Sequence, residues 1–262
     1  MPSPTASRPT TRRMPKLPAA SRSLWIADTR YPPFPRLEGD LAVDVAVVGA
    51  GITGLTAAVL LKAAGKSVAV LEAQRVAEGV TGHTTAHLTE VIDASFDTLL
   101  SHFGEDGART AVEATRASLE RIAGFIREVG IECGFRRLPG FYYTEHADHV
   151  SDVRAEYEAA LRLGLPATFT EDVPLPFPVA AGIRFDGQAR FHVRQYLLPL
   201  LTAIPGGGSH VFEGTRATDI HDGEPCRVET ETGVITAGDV VMATHVPLNK
   251  FFIQTKLAHY RS

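Results

Sequence analysis

The chain has 262 residues, 44% of them hydrophobic and 21% charged, so it can bury the core of one large domain or of two interleaved domains. No run of about 18 apolar residues occurs, which predicts no membrane-spanning helix, and the two cysteines form no CxxC pair, which argues against a disulfide framework and favours a reducing, cytoplasmic location. The first 36 residues hold seven basic side chains and one acidic one, which leaves 19 basic against 29 acidic groups in the rest, a balance that argues against nucleic-acid binding.

The N-terminal segment is rich in Pro, Ser, Thr and Arg, and no apolar stretch follows Arg12 and Arg13, so neither a secretory nor a twin-arginine signal fits. We predict a disordered basic tail over residues 1–24. Order should begin at Trp25. Because three prolines lie between residues 32 and 35, we expect an extended strap on the domain surface rather than a helix.

The segment "VDVAVVGAGITGLTAAVLLKAAGKSVAVLE" predicts a strand, a helix and a second strand in close succession. Apolar residues from Val43 to Val48 indicate a short buried strand, a helix follows as far as Gly65, and a second strand over residues 68–71 ends at Glu72. The turn between the first strand and the helix reads G-x-G-x-x-G. In this setting the motif indicates dinucleotide binding.

Each glycine of the motif has a physical task. Gly49 permits the tight turn, Gly51 lets a pyrophosphate approach the backbone, and Gly54 allows the helix to pack closely on the strand. The helix N-terminus then presents free N–H groups and the positive end of its dipole, and Glu72 can accept hydrogen bonds from ribose hydroxyls. The predicted cofactor contacts here are Gly49, Ala50, Gly51, Ile52, Thr53, Gly54, Glu72 and Ala73. An acid at position 72 disfavours a 2′-phosphate, which leaves NAD or FAD.

A polar passage containing "VTGHTTAHLT" (residues 80–89) follows the second strand and can reach along a bound cofactor. Threonine hydroxyls and backbone N–H groups are neutral donors that suit this task. The spacing of His83 and His87 raises the alternative of a metal site, but no third ligand or H-E-x-x-H pattern accompanies them, so we predict none. Another alternative is that these histidines cap the helix near Ser95.

The middle of the chain predicts an amphipathic helix, two strands and a second helix. Apolar or neutral residues recur at alternating spacings of three and four from Val112 to Val129, and the helix should end at Gly130. "ECGFRRLPGFYYTEH" then indicates two strands separated at Pro139-Gly140, followed by a helix over residues 148–163 and the turn "VPLPFP".

The last third predicts a helix in "ARFHVRQYLLPLLTAI", kinked at Pro199, followed by short strands. We expect one strand around Val211, one in "CRVETET" with one solvated face, and one in "GVITAG". "DVVMATHVP" should then form a separate buried strand over residues 240–243.

The stretches "DVAVVGAGITGLTAA", "VLEAQRV", "GVTGHTTAHLT" and "ITAGDVVMATHVP" resemble the FAD-dependent amine and amino-acid oxidoreductases typified by D-amino-acid oxidase, glycine oxidase and sarcosine oxidase. The most similar branch is the bacterial one whose members often carry a C-terminal Rieske iron–sulfur domain. The resemblance implies FAD as the cofactor. It also implies that the polar passage lies along the pyrophosphate and ribityl chain, with contacts from Thr81, Gly82, His83, Thr84 and Thr85.

The resemblance implies further contacts from Ala243 and Thr244, at a family "A-T-G" turn where this chain has His245 in place of the commonest glycine. Related sarcosine and dimethylglycine dehydrogenases carry a flavin bonded to a histidine in a similar T-x-H setting. A covalent bond between His83 and the flavin is therefore a hypothesis, with a non-covalent contact as the alternative.

The fold implied by the resemblance is α/β: an FAD-binding Rossmann-like domain, with a parallel sheet, helices and a β-meander, interleaved with an incomplete antiparallel α+β substrate domain. The implied division gives residues 25–100 and 191–246 to the FAD-binding domain, 101–190 to the substrate domain, and 247–262 to the start of a return to it. Tyr142 and Tyr143 would lie near the pocket. The resemblance extends over about the first half of a family member, so we expect open sheet edges near residues 141–144 through which the chain associates with other strands.

The implied function is oxidation of a small-molecule amine or amino acid by hydride transfer to the flavin, with the protein supplying position and electrostatics. No general base can be named from the sequence. The alternatives are an FAD-binding module without turnover and an NAD-dependent dehydrogenase.

Overall fold

A computed structural model describes residues 22–246; residues 1–21 of the predicted tail and the predicted return segment 247–262 lie outside the described residues. The end of the predicted tail, residues 1–24, was placed too late, because Ser23 already contacts Gly82 and Leu24 begins a helix. The helices are α1 (Leu24–Ala27), α2 (Ile52–Ala63), α3 (Phe96–Val129), α4 (Val150–Arg162) and α5 (Val193–Thr202). The strands are β1 (Leu41–Val48), β2 (Val68–Leu71), β3 (His87–Leu88), β4 (Arg136–Arg137), β5 (Gly140–Thr144), β6 (Ala167–Thr170), β7 (Ala181–Phe185), β8 (Ala189–Arg190), β9 (His210–Phe212), β10 (Ala217–His221), β11 (Cys226–Thr230) and β12 (Val234–Met242).

A six-stranded sheet in the order β10-β11-β12-β1-β2-β9 organises the first part of the molecule. β12, β1, β2 and β9 are parallel, and β10, β11 and β12 form an antiparallel meander. Side chains of β1 alternate between two buried clusters: Val45 and Val47 face the side where α2 and α5 pack, while Ala46 and Val48 face the other side. Both faces of the parallel strands are therefore buried, with helices packed on the first face and with Leu37 and Val228 among the residues of the cluster on the second.

A separate buried cluster joins α3, α4 and the antiparallel sheet β5-β7-β6. α3 begins at Ser95, whose side chain accepts a hydrogen bond from the Thr98 amide, changes direction at Gly104 (φ 67°), and ends at the left-handed Gly130. The predicted end of this helix is confirmed. The chain leaves the six-stranded sheet after β2 and returns to it at β9, so the α/β fold with an inserted antiparallel α+β part is also confirmed.

Several local predictions were wrong or incomplete. The strap contains one turn of helix, α1, before its proline-rich stretch. "GVITAG" and "DVVMATHVP" form the single strand β12, because the register with β1 is the same on both sides of Gly238: Val43 pairs with Ala237 and Val45 with Asp239. The end of β12 is not buried, and Met242 is 48% exposed, because it faces an open cleft described below. The strands β3, β6, β7, β8 and β10 were not predicted.

Other predictions agree with the structure or stay open. β4 and β5 are two separate strands, as predicted, but the break lies at residues 138 and 139 rather than at Pro139-Gly140, and the strands belong to different sheets. The predicted helix is α5, which contains Pro199 and continues past it to Thr202; the kink at this proline stays a prediction. β5 forms an edge of its sheet, and Tyr142 and Tyr143 are exposed. Association through that edge stays a prediction, which the concentration dependence of the sedimentation coefficient would test. None of the helices between residues 22 and 246 combines the length and apolar character that a bilayer crossing requires.

Candidate cofactor site

A cleft of about 910 Å³ opens at the carboxyl ends of β1, β2 and β12. In open α/β sheets, ligands bind in the crevice beyond these strand ends, where the loops of neighbouring strands diverge. The lining residues are Val48, Gly49, Ala50, Gly51, Ile52, Thr53, Leu71, Glu72, Ala73, Ala77, Gly79, Val80, Thr81, Thr215, Arg216, Ala217, Met242, Ala243, Thr244, His245 and Val246.

The N-terminus of α2 forms the floor of this cleft. Gly51 precedes the helix in an extended conformation, and its carbonyl accepts the first helical hydrogen bond from the Leu55 amide. The amide of Ile52 donates to the Thr81 hydroxyl at 3.1 Å, which holds the polar passage against the helix end. The other amides of the first turn have no partner within the helix, so this end attracts an anion.

Gly49 and Gly54 have roles set by close packing. Gly49 has a φ of 104°, in the region that favours glycine, and a Cβ there would lie 2.4 Å from the Ala243 carbonyl oxygen. A Cβ on Gly54 would lie 1.9 Å from the Gly49 carbonyl oxygen and 3.2 Å from Val47. The predicted tasks of the tight turn and of close helix–strand packing are therefore confirmed.

Both carboxylate oxygens of Glu72 are oriented by backbone amides. One accepts a hydrogen bond from the Ala50 amide at 3.0 Å, and the other accepts one from the Gln74 amide at 2.9 Å. Glu72 follows β2 directly and lines the cleft. A carboxylate held in this way keeps lone pairs available to hydroxyl donors in the cleft.

The strap that precedes the glycine motif braces the polar passage beside the cleft. The Ser23 hydroxyl donates to the Gly82 carbonyl, and the Trp25 indole donates to the Thr84 carbonyl at 2.7 Å. Ile26 packs so closely on Gly82 that a Cβ at residue 82 would lie 3.0 Å from its side chain. Gly82 therefore serves packing against the strap.

The side chain of Arg194, in α5, connects the strap (residues 23–40) to the wall of the cleft. It is 1% exposed, donates to the Thr29 hydroxyl at 2.7 Å and to the Ala77 carbonyl at 3.4 Å, and lies 3.2 Å from a Glu78 carboxylate oxygen. Ala77 lines the cleft with a positive φ of 54°, which is costly for alanine. We infer that Arg194 helps to hold this backbone in place.

Glu213 provides a second clamp on the strap, next to the end of β9. Its buried carboxylate accepts hydrogen bonds from the Phe34 amide at 3.0 Å and the Val76 amide at 2.7 Å, and it forms an ion pair with Arg75 at 2.7 Å. It also accepts from the Tyr31 hydroxyl. Burial, with the carboxylate of Glu213, raises the pKa of Tyr31 well above its usual range, so the phenol stays a donor.

Replacing Thr29 with valine should destabilise the protein by about 1.5–3 kcal/mol, because a buried, charged guanidinium loses an acceptor without a change in side-chain shape. Urea unfolding of the cofactor-free protein measures the effect. Thr202→Val at the exposed end of α5 is the matched control and should change stability by no more than about 0.5 kcal/mol. Equal stability of the two variants would contradict the bracing role of Arg194.

Most residues predicted for cofactor contact line the cleft together, namely Gly49, Ala50, Gly51, Ile52, Thr53, Glu72, Ala73, Thr81, Ala243 and Thr244. Five others do not line it: Gly54, Gly82, His83, Thr84 and Thr85. His83 is exposed, and its Nδ1 lies 2.9 Å from the Gly79 carbonyl oxygen. Within residues 22–246, no group of three or more His, Cys, Asp or Glu side chains is arranged to hold a metal ion.

One wall of the cleft, formed by Thr215, Arg216 and Ala217, was not predicted from the sequence. These residues follow β9, which pairs in parallel with β2, so their backbone emerges beside Glu72. The strand around Val211 was predicted, and treating it as a further parallel strand would have placed its carboxyl end here. The other lining residues that were not assigned to the site are Val48, Leu71, Ala77, Gly79, Val80, Met242, His245 and Val246.

Comparison with known proteins identifies a family and several relatives of this chain. The model of the DAO family, described as "FAD dependent oxidoreductase", matches residues 44–257. The chain is 34% identical over 229 residues to the "Putative Rieske 2Fe-2S iron-sulfur protein YhfW" of Bacillus subtilis, covering 87% of this chain and 45% of that protein. It is 29% identical over 221 residues to the gamma-glutamylputrescine oxidoreductase of Escherichia coli, covering 82% of this chain and 51% of the other.

Solved structures share the fold. Glycine oxidase from Geobacillus kaustophilus superposes with a TM-score of 0.65 at 19% identity, over 78% of this chain and 55% of that one. L-proline dehydrogenase from P. horikoshii gives a TM-score of 0.61 at 19% identity, over 79% and 54% of the two chains. The chain spans about half the length of the relatives that it matches. It belongs to the DAO family of FAD-dependent oxidoreductases, and FAD is the cofactor of that family.

Proposed function

We propose that the cleft binds FAD with its pyrophosphate at the N-terminus of α2 and its adenosine ribose beside Glu72. The observation that carries this proposal is the helix end at Gly51, whose first residues line a cleft of about 910 Å³ beside the Thr81 hydroxyl. The residues fit the cofactor: the helix end offers N–H donors to the phosphates, and Glu72 offers acceptors to the ribose. Arg216, which is exposed and lines the same cleft, adds positive charge.

The proposed cofactor contacts are those predicted from the sequence that line the cleft, with the wall of Thr215, Arg216 and Ala217 added. Thr81 would reach the cofactor from the polar passage, and Ala243 and Thr244 from the end of β12. Gly54 would act through packing rather than contact. The proposal includes FAD in preference to NAD. To test this, the visible absorption of the purified protein is measured before and after dialysis against NAD. We expect flavin absorption that the dialysis does not remove. A colourless protein that binds NAD would contradict the proposal.

We further propose that the chain supplies the cofactor part of an oxidoreductase that oxidises an amine or amino acid. Bound flavin would supply the hydride acceptor, and the residues of this chain would bind it, orient it and exclude water from one side. Support comes from relatives whose names include gamma-glutamylputrescine oxidoreductase and glycine oxidase. Reduction of the bound flavin under anaerobic conditions by amines and amino acids would test the reaction, and no bleaching with either class would contradict it.

The bond between His83 and flavin stays a hypothesis, and the structure favours the non-covalent alternative. His83 is exposed, and its Nδ1 lies 2.9 Å from the Gly79 carbonyl oxygen, which orients the ring within the loop. We expect acid precipitation of the FAD-loaded protein to leave the flavin in the supernatant, and His83→Ala to retain FAD affinity within about threefold, since an exposed contact contributes little. Flavin that remains in the pellet with the wild-type protein, and not with His83→Ala, would establish the covalent bond.

A further inference from the structure

The turn that follows β12 holds its central residue in a costly backbone conformation. The Val246 amide donates to the Thr244 carbonyl at 2.7 Å, which closes a three-residue turn around His245, and the Thr244 hydroxyl donates to the Val246 carbonyl at 2.6 Å. His245 has a φ of 63°. A turn of this size with a positive central φ is rare and strained, and glycine is the residue that adopts it without steric cost. A histidine held in this conformation therefore indicates a use for its side chain.

The strained turn belongs to the wall of the cofactor cleft. Gly49 packs directly on the end of β12, since a Cβ at residue 49 would lie 2.4 Å from the Ala243 carbonyl oxygen and 3.3 Å from the Thr244 amide nitrogen. His245 comes next along the chain, is exposed, and lines the cleft. A ligand that contacts the glycine turn therefore lies within reach of this imidazole.

The order of the strands decides which half of the cofactor passes His245. Val48, the last residue of β1, pairs with Leu71 of β2 on one side and with Met242 of β12 on the other. Neighbouring strands lie about 5 Å apart, so the residues that follow β2 and β12 are about 10 Å apart across the glycine turn. With the pyrophosphate at α2 and the adenosine ribose beside Glu72, the flavin half of an extended FAD points toward the end of β12.

His245 is the side chain on this wall that is best able to donate a hydrogen bond to the cofactor. Within the described part of the chain, the other lining residues after β12 have apolar side chains or, like Thr244, donate their hydroxyl to a carbonyl. The charged side chains of the cleft, Glu72 and Arg216, follow β2 and β9 on the other side. An imidazole carries at least one ring N–H, and the phosphate and ribityl oxygens of the flavin half are acceptors.

We propose that His245 binds the flavin half of FAD by donating a hydrogen bond to an oxygen of its phosphate or ribityl chain. The inference rests on the proposed function, because it takes the pyrophosphate to lie at α2 and the ribose at Glu72. It gives a reason for the strained turn, which directs a ring N–H into the cleft. It also divides recognition, since His245 would act on the flavin half and leave the ADP half to α2 and Glu72.

Calorimetric titration of the cofactor-free protein with FAD and with ADP tests the inference. His245→Gly should weaken FAD binding about tenfold or more, because a hydrogen bond to the flavin half is lost, and should keep ADP affinity within about twofold of the wild type. His245→Asn tolerates a positive φ and keeps an N–H donor on a shorter side chain, so its FAD affinity should be intermediate.

The matched control is His146→Gly, which removes an exposed histidine outside the cleft, at a negative φ of −99°. It should bind FAD as the wild type does. Because glycine relieves backbone strain at residue 245 and not at residue 146, the Tm of cofactor-free His245→Gly should be at least that of the wild type, whereas the Tm of His146→Gly should not exceed it. A role of His245 in the turn alone does not combine weaker FAD binding with undiminished stability.

FAD affinity of His245→Gly within about twofold of the wild type would overturn the inference. An equal loss of FAD and ADP affinity would also overturn it, because the turn would then support the site as a whole. A wild-type protein that binds no FAD would refute the proposed function, and this inference with it. The two failures are therefore distinguished: the first is seen in the variant, and the second in the wild type.

Discussion

Gly51→Val should abolish FAD binding while leaving the cofactor-free protein folded. The branched side chain would stand directly over the first amides of α2, where the pyrophosphate is proposed to lie, and would displace phosphate oxygens from those donors. The fold itself has room for a small adjustment, because a Cβ at this position would meet only the Thr81 hydroxyl, at 3.0 Å. We expect affinity to fall by a factor of about 100 or more, equivalent to about 3 kcal/mol.

Flavin fluorescence titration of cofactor-free protein measures this loss, and circular dichroism checks that the variant is folded. The control is Leu60→Val, which introduces a β-branched residue at an exposed position of the same helix, away from the cleft. It should bind FAD as the wild type does. A folded Gly51→Val protein with affinity close to that of the wild type would show that the cofactor does not lie at this helix end.

Gly54→Ala should destabilise the protein by about 3 kcal/mol or more, at the upper end of what overpacking costs. Its methyl group would lie 1.9 Å from the Gly49 carbonyl oxygen, a backbone atom at the tight turn that cannot move without displacing α2 from β1. We expect little soluble protein, or a large fall in the midpoint of urea unfolding measured without cofactor.

Gly124→Ala provides the matched control, since it makes the same substitution at another glycine inside a helix. A Cβ at residue 124 would lie 3.5 Å from a flexible Glu128 carboxylate oxygen, which is ordinary contact. The higher helix propensity of alanine should then stabilise the protein by up to about 1 kcal/mol. If both substitutions shifted the unfolding midpoint in the same direction by similar amounts, close packing at Gly54 could not be the reason for glycine there.

These two substitutions separate the parts of the glycine motif. Gly51→Val is expected to change binding with little change in stability, whereas Gly54→Ala is expected to change stability before binding can be measured. A stabilised double variant, Gly54→Ala with Gly124→Ala, would show whether any remaining folded protein still binds FAD.

Much of the candidate cofactor site could be predicted from the sequence, because the residues that form it lie close together along the chain. The strand, the glycine turn, α2 and Glu72 follow one another within about 30 residues, and each is specified by local periodicity or by a backbone that only glycine can adopt. The end of α3 at Gly130 was predicted for the same reason. The resemblance to a known family added the polar passage and the end of β12, which local patterns alone do not connect to the cleft.

Only the tertiary structure decided what joins distant parts of the chain. β12 is one strand because it pairs along its length with β1, almost 200 residues earlier, and the third wall of the cleft exists because β9 lies beside β2. The contacts of Ser23 with Gly82 and of Thr29 with Arg194 likewise join segments 59 and 165 residues apart. A hydrophobic or polar pattern specifies which face of an element is buried, but not which other element covers it, because many partners of similar shape and polarity satisfy the same pattern.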